Sequence, residues 1–127
     1  MEEPSGVSVY EVIGEDGFAR LVSFFYRRVR ADDLLGPMYP ADDWDGAEAR
    51  LRDFLVFRFG GPARYVEQRG HPRLRMRHLP FAIDERAAAR WLSHMDAALA
   101  EAALPGPVID VLRPFFAGTA EHMKNRA

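Results

Sequence analysis

Residues 60–81 read "GGPARYVEQRGHPRLRMRHLPF". The last eleven of them, 71–81, hold two histidines, three arginines, two prolines and four apolar side chains. Pro72 suits a first helical turn and Pro80 halts whatever precedes it, which leaves about two turns between them. On such a helix Leu74 and His78 are i, i+4 neighbours, with Arg77 beside them. One face then presents a leucine and a histidine flanked by arginines. Phe81 follows just past the stop.

Three chemistries could use these residues. A metal site is disfavoured, because His71 and His78 lie about 10 Å apart along a helix and no nearby carboxylate completes a zinc set. A phosphate strip is disfavoured too. Arg73, Arg75 and Arg77 step about 200° around a helix each time and form no single stripe. The formal net charge of -2 also gives no global basic field for nucleic acid. A porphyrin uses the whole set: one neutral imidazole for iron, apolar walls, and cations for two propionates. His78 would be the axial ligand, Leu74 and Phe81 the wall, and the arginines the rim. A surface turn with a half-exposed histidine accounts for the segment equally well, so these residues alone leave both readings open.

The chain around this segment is of ordinary globular type. Its 127 residues fit one domain, 1–127, large enough to bury roughly two-thirds of its unfolded surface. It has no cysteine, which removes disulfides, thiolate zinc sites and cysteine-linked haem and suits a reducing cytoplasm. The acidic start "MEEPSG" has no apolar run behind it and does not read as a signal peptide. No stretch approaches the ~18 apolar residues of a membrane span. A cytoplasmic protein with neither a membrane span nor a nucleic-acid partner is therefore expected.

Strand signals are almost absent, and helical spacing is clear in four places. Phe18, Val22, Phe25 and Val29 mark a helix over 18–30, with Asp16 and Gly17 as start signals and Tyr26 on the edge of the apolar face. Ala47, Leu51, Phe54, Leu55 and Phe59 mark a second over 45–59, with Asp45 as N-cap and Gly60-Gly61-Pro62 as the stop. Ala88, Trp91, Leu92, Met95, Ala98, Leu99 and Ala102 mark a third over 85–103, capped by Asp84. Val108, Val111, Leu112, Phe115, Phe116, Thr119 and Met123 mark a fourth over 108–124, with Pro114 expected to kink it. The long stretch between the second and third helices is unusual in a compact domain, and such loops are usually functional.

If His78 takes one face of an iron, the other face needs hydrogen-bond donors for bound oxygen. Tyr26, Tyr39 and Trp91 can supply them, since a phenol donates or accepts and an indole N–H donates. Aromatic residues on helix faces are more often core, and spacing does not show that the three converge.

Taken together, "FFYRRV", "LLGPMYPADD", "GAEARLRDFL", the run 60–81 and "ERAAARWLSHM" resemble the group II, or O-type, truncated haemoglobins. The likeness covers about residues 8–125. It implies an all-α, two-over-two helical sandwich, a shortened globin whose proximal helix ends an extended loop. It implies a non-covalent haem b on His78, the proximal ligand of a five-coordinate iron. By the same resemblance Tyr26, Tyr39 and Trp91 form the polar distal set. Ala47 takes the distal position where many globins carry histidine or glutamine, and Leu51, Phe54 and Leu55 form the distal wall. Met38, Leu74, Phe81 and Met95 complete the haem contacts, and Arg50, Tyr65, Arg75 and Arg77 are candidates for the propionate edge.

The implied function is reversible binding of O2, with CO and NO as further ligands, in oxygen transport or sensing. The alternative is a redox haem enzyme, peroxidase-like or NO-detoxifying, fed by an external reductase. A homodimer is a further expectation. Two departures from the family pattern stand out. "GED" replaces an early Gly-Gly, and "FRFGG" puts Arg58 where an aromatic is usual.

Overall fold

A computed structural model of the chain describes residues 7–63 and 83–125. Among these residues there are four α-helices, one short 3-10 turn and no strand. We label them α1 (Val9–Arg30), α2 (Trp44–Arg58), α3 (Glu85–Glu101) and α4 (Gly106–Met123), with the 3-10 turn at Gly36–Met38. Helix α1 packs against both α2 and α3, and α3 packs against α4. Two helix pairs therefore face each other, joined through α1.

Helix α1 begins nine residues before the apolar spacing predicts. Its start is a reciprocal cap: Ser8 Oγ accepts from Glu11 N at 3.1 Å, and Ser8 N donates to Glu11 Oε1 at 3.0 Å. Asp16 and Gly17 lie inside the helix and do not start it. The helix bends where Gly14 adopts φ 65° and ψ -177°, a backbone region essentially restricted to glycine. One glycine thus makes the break between an entry turn and the long helix behind it. Beyond the bend, Phe18, Leu21, Val22, Phe25 and Val29 are completely enclosed.

The other ends follow the same logic. Helix α2 starts at Trp44, one residue early, and its N-cap is Asp43 rather than Asp45. The Asp43 carboxylate makes no cap bond and reaches Arg50 instead. Gly60, at φ 103°, ends the helix as expected. In α3, Asp84 Oδ1 accepts from Ala87 N at 2.9 Å, the predicted cap. Helix α4 starts two residues before the expected Val108 and runs through Pro114 without a break. Arg58 lays its guanidinium over the rings of Phe59 and Phe115, 5.1 Å from each centroid. At this position it covers aromatic surface with its charge still in water.

Three ties close the frame. Tyr10 N donates to Phe59 O at 3.0 Å, joining the start of α1 to the end of α2. Arg20 Nη2 donates to Ala102 O at 3.1 Å, joining α1 to the end of α3. Ile83 and Asn125 exchange two hydrogen bonds: Ile83 N donates to Asn125 Oδ1 at 2.9 Å, and Asn125 N donates to Ile83 O at 2.8 Å. No helix of the described residues is long and apolar enough to cross a membrane.

The two glycines at positive φ should respond differently to a methyl group. A Cβ at Gly14 would meet nothing within 4 Å, so Gly14→Ala should cost only backbone strain, about 1–3 kcal/mol. At Gly60 a Cβ would also lie 2.6 Å from Ser8 Cβ, so Gly60→Ala should cost more. Urea unfolding of the two variants measures the order, and equal losses would contradict it.

Candidate functional site

Among the described residues, the four helices border an open cavity of about 330 Å3, within the range of small-molecule and cofactor sites. Helix α2 contributes Ala47, Arg50, Leu51, Phe54 and Leu55. Their i, i+3, i+4 spacing carries one face of the helix along the wall. Tyr26 comes from α1, and Leu35, Met38, Tyr39 and Pro40 come from the corner that follows it. Ile83 comes from just before α3, Ala87, Ala88 and Trp91 from its first half, and Phe115, Phe116, Thr119, Ala120 and Met123 from α4. The lining is largely apolar. Thr119 has its hydroxyl engaged by the Phe115 carbonyl at 2.9 Å.

Tyr26, Tyr39 and Trp91 are linked through ring contacts. Phe25 meets Tyr26 at 5.0 Å and Trp91 at 5.2 Å, both edge-on. Tyr26 meets Tyr39 edge-on at 5.6 Å. Trp44 stacks on Tyr39 at 5.0 Å and 29°, under the guanidinium of Arg30 at 5.3 Å. These offset and T-shaped pairs hold ring orientations better than aliphatic contacts do. Burial pushes the Tyr26 phenol well above its ordinary pKa, and the charge and hydroxyl of Tyr39 add to the shift. Burial raises Tyr39 as well, against the opposing effects of the Tyr26 hydroxyl and the Arg50 charge. Both rings are therefore neutral phenols near pH 7, able to donate.

The sequence-derived site residues fall into three groups. Tyr26, Met38, Tyr39, Ala47, Arg50, Leu51, Phe54, Leu55 and Trp91 line this one cavity. His78, Tyr65, Leu74, Arg75, Arg77 and Phe81 lie outside the described residues. Met95 is the exception. It is completely enclosed in the core beside Ala98 and Leu99 and is not on the cavity wall. One helical turn past Trp91, about 6 Å along α3, the stripe has already passed from cavity wall to helix packing. Arg50, a candidate for the propionate edge, pairs with Asp43 Oδ2 at 2.9 Å.

Several wall residues escape the sequence reading. Leu35, Ile83, Ala87 and Ala120 carry no chemical signal. Trp44, which backs Tyr39 from outside the cavity, was signalled, since it extends the Ala47–Leu51–Phe54 stripe by a turn.

A buried carboxylate lies behind the corner that carries Tyr39. Asp32 Oδ1 accepts from Leu34 N at 2.8 Å, Leu35 N at 2.9 Å and Arg90 Nη1 at 3.0 Å. Its Oδ2 lies 2.7 Å from His94 Nε2. Burial opposes ionisation of Asp32, but the bonds to His94, the Leu35 and Leu34 amides and Arg90 prevail and hold its carboxyl well below the usual range.

The residues 8–125 match the family described as bacterial-like globin. The chain belongs to the bacterial-like globins. It is 42% identical to the group 2 truncated hemoglobin YjbI of Bacillus subtilis over 117 residues, covering 92% of this chain and 88% of that one. Its fold is similar to the crystal structure of a hemoglobin from Chloroflexus aurantiacus, with a TM-score of 0.91 and 48% identity over 94% of this chain and 99% of that one. It is also similar to a truncated oxygen-avid haemoglobin from Bacillus subtilis, with a TM-score of 0.89 and 40% identity over 94% of this chain and all of that one (100%). The expected fold is thus the observed one, an all-α truncated globin. Membership in this family implies a haem cofactor and diatomic gases as its ligands. The cavity suits such a group, offering apolar walls from α2 and α4 with phenol, indole and guanidinium groups among them.

The lowered Asp32 pKa predicts the sign of an acid effect. The stabilisation is complete above the unfolded carboxylate pKa of about 3.9 and fades as pH falls through and below it. Asp32→Asn should therefore be less stable than the native globin at pH 7, and the gap should narrow between pH 5 and pH 2. Urea titrations across that range measure it, and a gap that widens would reverse the sign.

Proposed function

We propose that this globin binds O2 reversibly, with CO and NO as further ligands, at a haem b held through the imidazole of His78. The observation that carries the reading is the presence of Tyr26, Tyr39 and Trp91 on one wall system of a single apolar cavity. Haem, if bound there, would supply an iron able to bind a diatomic gas. Tyr26 and Tyr39 offer hydroxyl donors that stay protonated at neutral pH, and Trp91 offers an indole N–H. Donors aimed at a partly negative ligand in a low-dielectric cavity slow its departure. Ala47 offers neither a donor nor bulk, so the polarity comes from the corner, α1 and α3. Leu51, Phe54 and Leu55 exclude water from the same space. The likeness to an oxygen-avid haemoglobin supports slow release as the character of the site.

The absorption spectrum of the reduced protein with and without CO tests this directly. A Soret band that moves on adding CO supports the reading, and a protein that takes up no haem overturns it. His78→Ala should abolish ordinary haem retention, read as Soret absorbance after haem titration. Unchanged affinity would refute the ligand assignment. Trp91→Phe should release O2 about three- to tenfold faster by stopped flow, as expected for one lost hydrogen bond. An unchanged rate would remove Trp91 from the donor set.

A further inference from the structure

We propose that Asp32 is a positioning residue for Tyr39, locking the corner that carries this phenol onto the same helix that carries Trp91. The inference rests on the gas-binding reading above and adds the device that sets the spacing of its donors.

Helix α1 ends at Arg30, and the chain must turn sharply to bring Leu35, Met38 and Tyr39 to the cavity wall. Asp32 shapes that turn from both of its acceptors. Its main-chain carbonyl takes Gly36 N at 2.9 Å. Its Oδ1 takes the amides of Leu34 and Leu35. A carboxylate serving only as a turn former would need nothing more. Asp32 is instead gripped by two side chains of α3, Arg90 at 3.0 Å and His94 at 2.7 Å. Arg90 immediately precedes Trp91 on that helix, and His94 follows it by three residues.

Only 6% of the Asp32 side chain is exposed, so water screens these bonds little. Asp33, its neighbour, also pairs with Arg90 but is 90% exposed, and its bond is screened. Among the described residues, the charged and titratable groups that meet the Asp32 carboxylate are Arg90 and His94, with Asp33 sharing Arg90. Through them the frames of Tyr39 and Trp91 have a common anchor. Removing the Asp32 charge while keeping its shape lets the corner part from α3 and moves the phenol away from the place it shares with the indole.

The haem-loaded globin tests this, read by the infrared C–O stretch of the CO complex, the O2 dissociation rate and amide exchange at Leu34 and Leu35. Asp32→Asn should speed O2 release about three- to tenfold and move the C–O stretch in the same direction as Tyr39→Phe. Added to Tyr39→Phe, it should bring no further acceleration, because both act through one hydroxyl. Asp33→Asn should match the native protein throughout. Native values for Asp32→Asn, or effects that multiply in the double variant, would overturn the positioning role.

If Tyr39→Phe itself keeps native values, that role falls with the donor assignment. An intact CO complex would show that gas binding stands apart from it. Should Asp32→Asn fail to fold, the pair Arg90→Gln/His94→Gln frees the corner from α3 and carries the same expectation and the same refutation.

Discussion

The architecture depends on one helix being buried on two sides. Helix α1 packs on α2 and on α3 at once, with Phe18, Leu21, Val22, Phe25 and Val29 fully enclosed. Core aromatic residues of this kind typically contribute about 3–5 kcal/mol each against truncation to alanine. Because α1 serves both neighbours, the chain must leave it through a tight corner before α2 can begin. That corner, the start of α3 and α4 bound the space that α2 alone cannot close. Phe25 is the pivot. Its ring touches Tyr26 on its own helix and Trp91 on α3, so core packing and the placement of a cavity phenol and indole are one set of contacts.

How much of this the sequence carries differs from element to element. The apolar stripes of the four helices were legible, because 3.6-residue spacing is a direct imprint of burial on one face. The Asp84 cap and the Gly60 stop were legible for the same local reason. The true start of α1 was not, because the bend at Gly14 interrupts the periodicity and Ser8 and Glu11 signal a cap only as a pair. Tyr26, Tyr39 and Trp91 were legible as candidates through the family likeness, but their meeting depends on a tertiary turn. Asp32 in "ADD" resembles any solvated acidic turn. Its partners lie 58 and 62 positions away, and no spacing rule reaches that far. Met95, on the same stripe as Trp91, lies in the core and not on the cavity wall, since the stripe serves the cavity in one turn and the helix interface in the next.

Chemically, the cavity is sparing with polarity. Two phenols, one indole and one guanidinium serve a wall otherwise built from aliphatic and phenyl groups. Burial raises both phenols further above their ordinary range, so they stay neutral even in alkaline solution. The small side chain of Ala47 leaves its part of the α2 wall without a hydrogen-bonding group. Trp44 and Arg30 back Tyr39 from outside the cavity, so its ring is pressed between a stack and an edge contact.

The Ile83–Asn125 pair gives the far end of α4 a share in the cavity. Ile83 is a wall residue, yet its backbone is held by a residue 42 positions later. The tail of the last helix is thereby a hinge pin for the opening of α3. The seating of Ile83 in the pocket lining thus rests in part on a residue beyond the last helix.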